Sequence, residues 1–347
     1  MARVVTVRGD IPPEALGPCM AHEHFFLDSS RFYDPSNLHD PALGELPMDA
    51  RFGGLARWEG HLFRDNLLFD ADRDFELVRE EVADYVAAAG EGACLVDLTT
   101  VGLSPRYDRV VALAEATGAQ VVAGAGIYVH AMHPEWVCAS STDELTAWFD
   151  EEIDEGMGGT GVKPGILGEI GTSEQLLPCE ERVLRAAARA ARRTGLAVNV
   201  HCHPSTLEVT TRILDVLDDE GHDLTRTYLS HLDEIWDLDY HDAVLRRGVV
   251  VGFDSFGQDG YFTSTWKSLS DNTKAETMVA LIGRGYRDQL VMAQDICKKH
   301  HLQRFGGMGY SHVVRRVVPR LQEVHGLDDA TLQQLLVETP RRLLTVP

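Results

Sequence analysis

Several classes of protein are excluded by what the sequence lacks. It has no apolar run of about 18 residues, the length that a membrane-spanning helix requires. The N-terminus also lacks the charged and then apolar segments of a secretory signal, so we expect a cytoplasmic protein without a membrane partner. Basic residues are scarce, at 32 against 54 acidic residues, which gives a net charge of −22. Nucleic acid and anionic membranes both require a basic surface and are therefore not expected as partners.

Cysteine is also sparse, and its spacing gives no sign of a disulfide framework. The six cysteines include no Cys-x-x-Cys pair. Several lie in apolar segments that resemble strands, so we expect buried, reduced thiols rather than disulfides or a zinc knuckle. They are Cys19, Cys94, Cys138, Cys179, Cys202 and Cys297.

The sequence does contain a regular alternation of strand-like and helix-like segments. Eight short apolar runs recur, each followed by a segment with apolar residues at helical spacing. This alternation requires a parallel sheet, and eight such units close into a (β/α)8 TIM barrel, an α/β fold. The runs are residues 18–24, 93–99, 120–126, 165–170, 196–201, 227–231, 249–254 and 289–295, and the helical segments include 74–89, 107–117, 142–155, 179–194 and 206–220.

We expect a single domain over residues 1–347, in which an N-terminal hairpin of residues 1–15 precedes a barrel of residues 16–347. The alternative is an open, doubly wound sheet, which usually carries a Gly-x-Gly-x-x-Gly turn after its first strand. Here the first strand ends instead in Ala21-His22-Glu23-His24. This difference favours the barrel.

The connection after the first strand is unusually long, from about residue 28 to residue 70. It contains Pro and Gly together with several aromatic residues. A long loop at the carboxyl end of a barrel strand could be a lid over an active site or a packed surface excursion. The sequence leaves both interpretations open. The aromatic residues are Phe32, Tyr33, Phe52, Trp58, Phe63 and Phe69.

The first strand ends in two histidines that are spaced like metal ligands. Successive side chains of a strand point to opposite faces, so His22 and His24 share one face and Glu23 points away. Imidazole binds zinc and neighbouring transition metals well. A His-x-His pair alone is a weak signal, because many such pairs are solvated loop residues.

Further candidate ligands occur at the ends of later strands. In a parallel barrel all carboxyl ends lie at one rim, where active sites form. Glu169, His201 and His231 end the fourth, fifth and sixth runs, and Asp295 ends the eighth. Singly, each could be a buried hydrogen-bonded histidine or a helix-capping carboxylate. Together with the two histidines of the first strand they exceed the ligand set of one structural zinc and suit two divalent ions bridged by Glu169.

Five segments, in chain order, resemble the phosphotriesterase family of the amidohydrolase superfamily. The resemblance extends along nearly the whole chain and implies a binuclear metal centre. The segments are Gly17-Pro-Cys-Met-Ala-His22-Glu-His24, Gly168-Glu169-Ile170-Gly171-Thr172-Ser173, Val200-His201, Ser230-His231-Leu-Asp233 and Gln294-Asp295. By this resemblance His22, His24 and Asp295 would hold the more buried ion, His201 and His231 the more exposed ion, and Glu169 both.

The chain departs from the founding enzymes of that family at the bridge between the ions. Those enzymes use a carboxylated lysine, whereas the fourth strand here carries Glu169. In this respect the chain is similar to the phosphotriesterase homology proteins and the animal phosphotriesterase-related proteins, which have a glutamate there. We reject Lys163 as a bridge, because along an unbroken strand it would lie roughly 20 Å from Glu169.

The mechanism that the resemblance implies uses a hydroxide between the two ions, one of which also polarises the substrate oxygen. Asp295, at the end of its strand, is the candidate catalytic residue that accepts the proton and passes it to the leaving group. Phosphotriesterase carries that proton onward through a histidine after the seventh strand. This chain has Phe253-Asp254-Ser255 there, which leaves the next step of the relay open.

Candidate substrate-binding residues lie on the rim loops. Tyr128, after the third strand, resembles the lactonase tyrosine that lies over the metal ions, although a core tyrosine is the alternative. Lys298 or Lys299 could pair with a carboxylate or sulfonate of the substrate, although a solvated lysine is the more common case for either residue. Other rim residues that could line the pocket are His130, His133, Trp136, Tyr261 and Trp266.

We therefore expect a binuclear metal-dependent hydrolase that acts on a small-molecule ester, lactone or N-acyl amide. Zinc is the first choice of metal, and manganese, cobalt and iron accept the same ligands. The alternatives are hydrolysis of organophosphate triesters and a metal-containing barrel that binds a ligand without turnover. A homodimer is one possible assembly.

Overall fold

The strands of the barrel follow the eight apolar runs of the sequence. The computed structural model describes residues 2–204, 206–261 and 267–347. Its strands are β1 (Arg3–Thr6), β2 (Gly9–Ile11), β3 (Cys19–Glu23), β4 (Cys94–Asp97), β5 (Gln120–Ala125), β6 (Ile166–Thr172), β7 (Val198–Cys202), β8 (Thr227–Ser230), β9 (Val250–Phe253), β10 (Gly260–Tyr261), β11 (Lys267–Ser268), β12 (Leu290–Met292) and β13 (Thr345–Val346). The parallel neighbours run in the order β12-β9-β8-β7-β6-β5-β4-β3, so the predicted (β/α)8 barrel is confirmed.

The helices lie between successive strands, as the helical spacing predicts. They are α1 (Gly53–Trp58), α2 (Phe75–Ala89), α3 (Tyr107–Thr117), α4 (Glu135–Ala139), α5 (Thr142–Asp154), α6 (Pro178–Thr194), α7 (Leu207–Asp219), α8 (Leu238–Leu245), α9 (Asp271–Gly283), α10 (Val318–Glu323), α11 (Asp329–Gln333) and α12 (Thr339–Leu344). The barrel strands are buried on both faces, because these helices cover the outside. None of the described helices is long and apolar enough to cross a membrane.

The N-terminal strands cover the end of the barrel opposite the strand carboxyl ends. β1 pairs antiparallel with β2 on one side and with β13 on the other. Val7 N donates a hydrogen bond to Val121 O at the start of β5, 2.9 Å away. The three-stranded sheet therefore lies beside the beginnings of the barrel strands and leaves the opposite rim open.

The first and last barrel strands meet at a seam that the Glu23 carboxylate bridges. Its Oε1 accepts a hydrogen bond from Gln294 N (2.8 Å), and its Oε2 accepts one from Ile296 N (3.0 Å). Asp295 N, between these two amides, donates to His22 O at 3.1 Å. Glu23 thus fixes the backbone on both sides of Asp295.

The long segment after β3 packs as one wall of the open rim. Phe63 and Phe69 are buried in the main apolar core. Lys299 Nζ, from the segment after β12, lies 2.8 Å from Asp65 Oδ1, and His300 N donates to Asn66 Oδ1 at 2.9 Å. The long segment is therefore a packed excursion, one of the two interpretations that the sequence left open. It also includes residues that face the site.

Candidate active site

Six side chains from five strand ends come together at the open rim. Their ligand atoms form two groups within which all atoms lie within 4.8 Å of one another. All six side chains are buried. They come from two parts of the sheet: the neighbouring strands β6, β7 and β8, and the strands β3 and β12 that meet at the seam. One group contains His22, His24 and Asp295, and the other contains Glu169, His201 and His231.

Glu169 lies between the two groups. Its Oε1 is 2.5 Å from His201 Nδ1, 3.4 Å from His231 Nε2 and 3.6 Å from His22 Nε2. Its Oε2 is 3.9 Å from His24 Nε2. One carboxylate therefore contacts histidines of both groups, which is the position that a bridging ligand needs.

β3 contains a bulge between Met20 and Glu23, and His22, in the strand, and His24, just after it, both point into the site. Met20 pairs with Leu95 and Glu23 pairs with Asp97, so one extra residue of β3 opposes the neighbouring strand. His22 Nε2 lies 3.6 Å from Asp295 Oδ1, and His24 Nε2 lies 3.2 Å from the same oxygen. The prediction that these two side chains share a face, with Glu23 directed elsewhere, agrees with this geometry.

The far nitrogens of these histidines are held by buried oxygens. His24 Nδ1 contacts Thr99 Oγ1 at 3.1 Å, and Thr99 in turn donates to Asp97. Because the threonine proton goes to Asp97, the histidine must be the donor in the first contact. In the neutral imidazole that a metal ligand requires, Nε2 would then carry the lone pair directed into the site.

Asp254, at the end of β9, holds two of the candidate ligands. Its Oδ1 accepts hydrogen bonds from His231 N (2.8 Å) and His231 Nδ1 (3.1 Å), and its Oδ2 accepts one from Tyr228 OH. His22 Nδ1 lies 3.4 Å from the same carboxylate and 2.9 Å from Ser230 Oγ. Asp254 therefore orients the imidazoles from behind rather than facing the cavity.

The backbone is unusual at two of the candidate ligands. His231 has φ of 63° and Asp295 has φ of 49°, values that residues other than glycine seldom adopt. At His231 the Asp254 bond to the backbone nitrogen stabilises this conformation. Such positions cluster at functional sites, where the surrounding structure offsets their cost.

The two carboxylates remain ionised despite being buried. Burial alone would raise the pKa of Asp295, but the hydrogen bond with His24 and the neighbouring His22 and His231 lower it to about 2. Burial likewise opposes ionisation of Glu169, yet His201 and His231 hold the pKa of this carboxyl well below its usual range. The site therefore offers negative charge and imidazole nitrogens together, which is a donor set suited to divalent cations.

Two buried polar atoms at the centre of the site support this assignment. His22 Nε2 and Glu169 Oε2 make no hydrogen bond to any described residue. An unpaired buried polar atom costs free energy, so such atoms need a partner. A cation between the two groups would satisfy both atoms, and the six side chains therefore fit a metal centre.

A cavity of about 340 Å³ opens above the six side chains. Leu27, Phe32 and His61 of the long segment line one side of it, and Tyr128 and Lys298 lie on other sides. The Tyr128 ring meets the His201 ring edge-on, with 5.0 Å between centroids. Lys298 is the only lysine or arginine among the described residues that line the cavity, and only 5% of its surface is exposed.

Several predicted substrate residues lie away from this cavity. His130 is not among its lining residues and contacts Cys179 instead, with 3.0 Å between Nδ1 and Sγ. Trp136 is 40% exposed and packs against Trp148, so we no longer expect either residue to contact substrate. The His133 ring bonds to Tyr128 O.

The remaining candidates are distributed as follows. Lys299 forms ion pairs with Asp65 and Asp74, and is therefore engaged within the protein. Lys163 bonds to Asp154 O on the protein surface and therefore does not lie between the two groups of candidate ligands. Tyr261 belongs to β10, and Trp266 lies outside the described residues.

Sequence reasoning gave Asp254, Glu23 and His61 no role in the site, and it named Phe32 only as part of a candidate lid. Asp254 ends the seventh apolar run and so carries the same signal as the six candidate ligands. The positions of Phe32 and His61 have no such signal, because the fold of the long segment places them at the cavity.

The barrel, the buried cluster and the cavity are the features expected of a metal-dependent (β/α)8 hydrolase. The model of the Phosphotriesterase family matches residues 2–344. The chain belongs to the phosphotriesterase family, as the sequence motifs predicted.

Three comparisons describe its similarity to characterised proteins. The N-acetyltaurine hydrolase of Rattus norvegicus is 35% identical, with 99% of this chain and 98% of that protein covered. The structure of a resiniferatoxin-binding protein from Rhodobacter sphaeroides is 34% identical with a TM-score of 0.93, over 99% of this chain and 94% of the other. The phosphotriesterase homology protein from Escherichia coli, with phosphate in its active site, is 26% identical with a TM-score of 0.77, over 95% and 99%.

Proposed function

We propose that this hydrolase holds two divalent cations, with zinc as the first choice, at the carboxyl ends of its barrel strands. The position of Glu169 between the two ligand groups carries the proposal. In this arrangement His22, His24 and Asp295 would hold one ion, His201 and His231 would hold the other, and Glu169 would contact both. Such ions supply a water of lowered pKa and a positive charge that polarises the substrate carbonyl.

Asp295 serves as the proton carrier of the reaction. Its low pKa keeps the carboxylate ionised at neutral pH, so that it can accept a proton from the attacking water. Its Oδ2 lies 3.6 Å from Cys297 Sγ, a thiol that lines the cavity, so the carboxylate reaches the substrate side of the site. Asp295 then donates the proton to the leaving nitrogen or oxygen.

Tyr128 orients the substrate by donating a hydrogen bond to it. Burial and the nearby Glu169 raise the pKa of Tyr128 well above its usual value, so its hydroxyl keeps the proton it donates. Its ring is fixed against His201, and its side chain lines the cavity. The hydroxyl is therefore available for the substrate oxygen.

The substrate class that we propose is an N-acyl amide with a short anionic arm, and N-acetyltaurine is the first candidate. The cation at the cavity wall supports this choice. Lys298 Nζ lies 3.7 Å from Cys297 Sγ, and the same sulfur lies 3.6 Å from Asp295 Oδ2, so the lysine is close to the candidate metal ligands. A sulfonate or carboxylate next to Lys298 would leave the amide carbonyl near the candidate metal ligands. The N-acetyltaurine hydrolase relatives are consistent with this class.

The lysine is held in place by the chain around it. A Cβ at Gly60 would lie 2.8 Å from Lys298 Cε, so glycine provides the space that this side chain occupies. Burial, followed by the charge of Lys298, lowers the pKa of His61 to about 3. His61 therefore remains neutral at the cavity wall and does not compete with Lys298 for an anion.

Replacement of Lys298 by methionine tests the substrate class. We expect KM for N-acetyltaurine to rise by about 10- to 100-fold, because a charged hydrogen bond is lost. Hydrolysis of N-acetylpropylamine, a neutral amide of similar length, should change little, and Lys298→Arg should retain part of the preference for the anion. Equal effects of Lys298→Met on the charged and neutral amides would contradict this assignment.

Organophosphate triesters are the second candidate substrates. The phosphate in the active site of the Escherichia coli relative favours them as a side activity. Comparison of kcat/KM for N-acyl amides, lactones, carboxylic esters and paraoxon ranks the candidates. A preference for paraoxon would overturn our order, and absence of turnover over the whole panel with both ions bound would favour ligand binding alone.

A further inference from the structure

A second cluster of metal-binding side chains lies outside the active site. Its four ligand atoms, two imidazole nitrogens and two thiol sulfurs, all lie within 4.8 Å of one another. The histidines follow β5, Cys138 lies in α4, and Cys179 begins α6, so three separate elements meet here. The residues are His130, His133, Cys138 and Cys179.

The distances within this cluster match those of a tetrahedral zinc shell. With Zn–S near 2.3 Å and Zn–N near 2.0 Å, sulfur and nitrogen ligands lie about 3.5 Å apart. Cys138 Sγ is 3.5 Å from His130 Nδ1 and 3.6 Å from His133 Nδ1. Cys179 Sγ is 3.0 Å from His130 Nδ1, slightly closer than that shell. We propose that these four side chains bind a structural zinc ion.

Hydrogen bonds outside the cluster direct the ligand atoms inward. His133 Nε2 lies 2.7 Å from Tyr128 O, an acceptor only, so this nitrogen carries the proton and Nδ1 keeps its lone pair. His130 N donates to Glu180 Oε1 at 3.0 Å, which holds the backbone of the loop against α6. Cys179 lies in the first turn of the 17-residue α6, so the helix backbone holds its sulfur in place.

The zinc would stabilise the loop that forms one side of the cavity. Val129 and Ala131 line the cavity, whereas His130 between them turns to the other side and contacts Cys138 and Cys179. Glu180 also accepts hydrogen bonds from Ser173, another cavity residue. One ion at this position would therefore fix the backbone of Tyr128 relative to α6 without contacting substrate.

A disulfide is the competing use of the two cysteines. Both thiols are free in the structure, and a disulfide would not explain why two histidine nitrogens converge on the same point. Two cysteine sulfurs with two histidine nitrogens are a common ligand set for structural zinc. The geometry thus favours the metal.

Cobalt substitution tests the site without reference to catalysis. The six active-site candidates contain no sulfur, so a cobalt–thiolate charge-transfer absorption in the full-length, cobalt-loaded protein would report on the second cluster. We expect this absorption in the wild-type protein and in Cys297→Ser, and its loss in Cys179→Ser. Zinc-loaded Cys179→Ser should contain one zinc fewer per chain than the wild type.

His130→Asn provides a second variant, because its exposed side chain can be replaced without disturbing the core. We expect it to weaken zinc retention against a chelator by 10-fold or more and to lower the midpoint of thermal unfolding. A cobalt-loaded wild type without the thiolate absorption, an unchanged zinc count in Cys179→Ser, or a Cys138–Cys179 disulfide in protein purified under reducing conditions would each overturn the proposal.

Discussion

Asp295 lies at the seam of the barrel, where its carboxylate contacts His22 of β3 and His24 just after that strand, and reaches the cavity. Asp295→Asn keeps the shape of the side chain and one ligand oxygen but removes the proton acceptor. We expect kcat for N-acetyltaurine to fall by about 10²- to 10⁴-fold while both active-site ions remain bound. Steady-state kinetics and metal analysis on the same preparation measure the two effects separately.

Asp239→Asn is the matched control, because the Asp239 side chain is 96% exposed on α8. It should leave kcat and the metal content unchanged. If Asp295→Asn retained full kcat, the carboxylate would not carry the proton. If it lost the ions together with activity, the residue would be a ligand alone.

The meeting of the six candidate ligands at one rim could be predicted because each lies at the end of an apolar run, and strand ends converge in a parallel barrel. His130 shows the limit of this reasoning. Its position at the rim was predicted correctly, but its side chain turns from the cavity while those of Val129 and Ala131 face it. The direction of one side chain in an irregular loop depends on partners such as Cys179, which is 49 residues away.

The seam between β3 and β12 depends on a carboxylate that hydrogen-bonds to backbone amides. Glu23→Gln replaces one accepting oxygen by an amide group, which places a donor opposite a backbone N–H. We expect the free energy of unfolding to fall by about 1–3 kcal/mol. Urea denaturation measures this loss, and Glu14→Gln, on the exposed N-terminal segment, serves as the control.

A loss within the error of the control would mean that the seam is held by other contacts. Because Glu23 also flanks Asp295, the variant should lower kcat even where the protein remains folded. Retention of full kcat together with lost stability would limit Glu23 to a structural role.

The sequence predicted the barrel strands well and the long segment after β3 only in part. Strands form where apolar residues cluster, and the pattern is local. The packing of the long segment depends instead on distant partners, since Lys299 pairs with Asp65 and His300 contacts Asn66. Pairing of β13 with β1 is likewise invisible to local patterns, because it joins the two ends of the chain.

Two buried histidines, His222 and His301, should lower the stability of the whole molecule as the pH drops below about 6.5. Burial lowers the pKa of His222 from 6.5 to about 4, and burial followed by the charge of Lys298 lowers that of His301 to about 3. The unfolded chain therefore binds more protons than the folded one between these values. Each group contributes stability that is complete above pH 6.5 and is lost by up to about 1.4 kcal/mol per pH unit below it.

His222→Asn isolates one of these contributions, since this residue lies far from the active site between α7 and β8. Unfolding free energies of the wild type and the variant from pH 7.5 to 4.5 should give a shallower dependence for the variant. The exposed His39→Asn should follow the wild type. Parallel curves for His222→Asn and the wild type would show that His222 is not kept neutral by burial.

Anomalous diffraction from crystals grown with zinc tests the metal centre at the barrel rim most directly. We predict two peaks among the six side chains, about 3.5–4 Å apart, each within about 2.2 Å of a Glu169 oxygen. Any peak at His130 and Cys179 would be separate from these two. A single peak or none at the rim, or a Glu169 carboxylate that contacts neither ion, would contradict the proposed binuclear site.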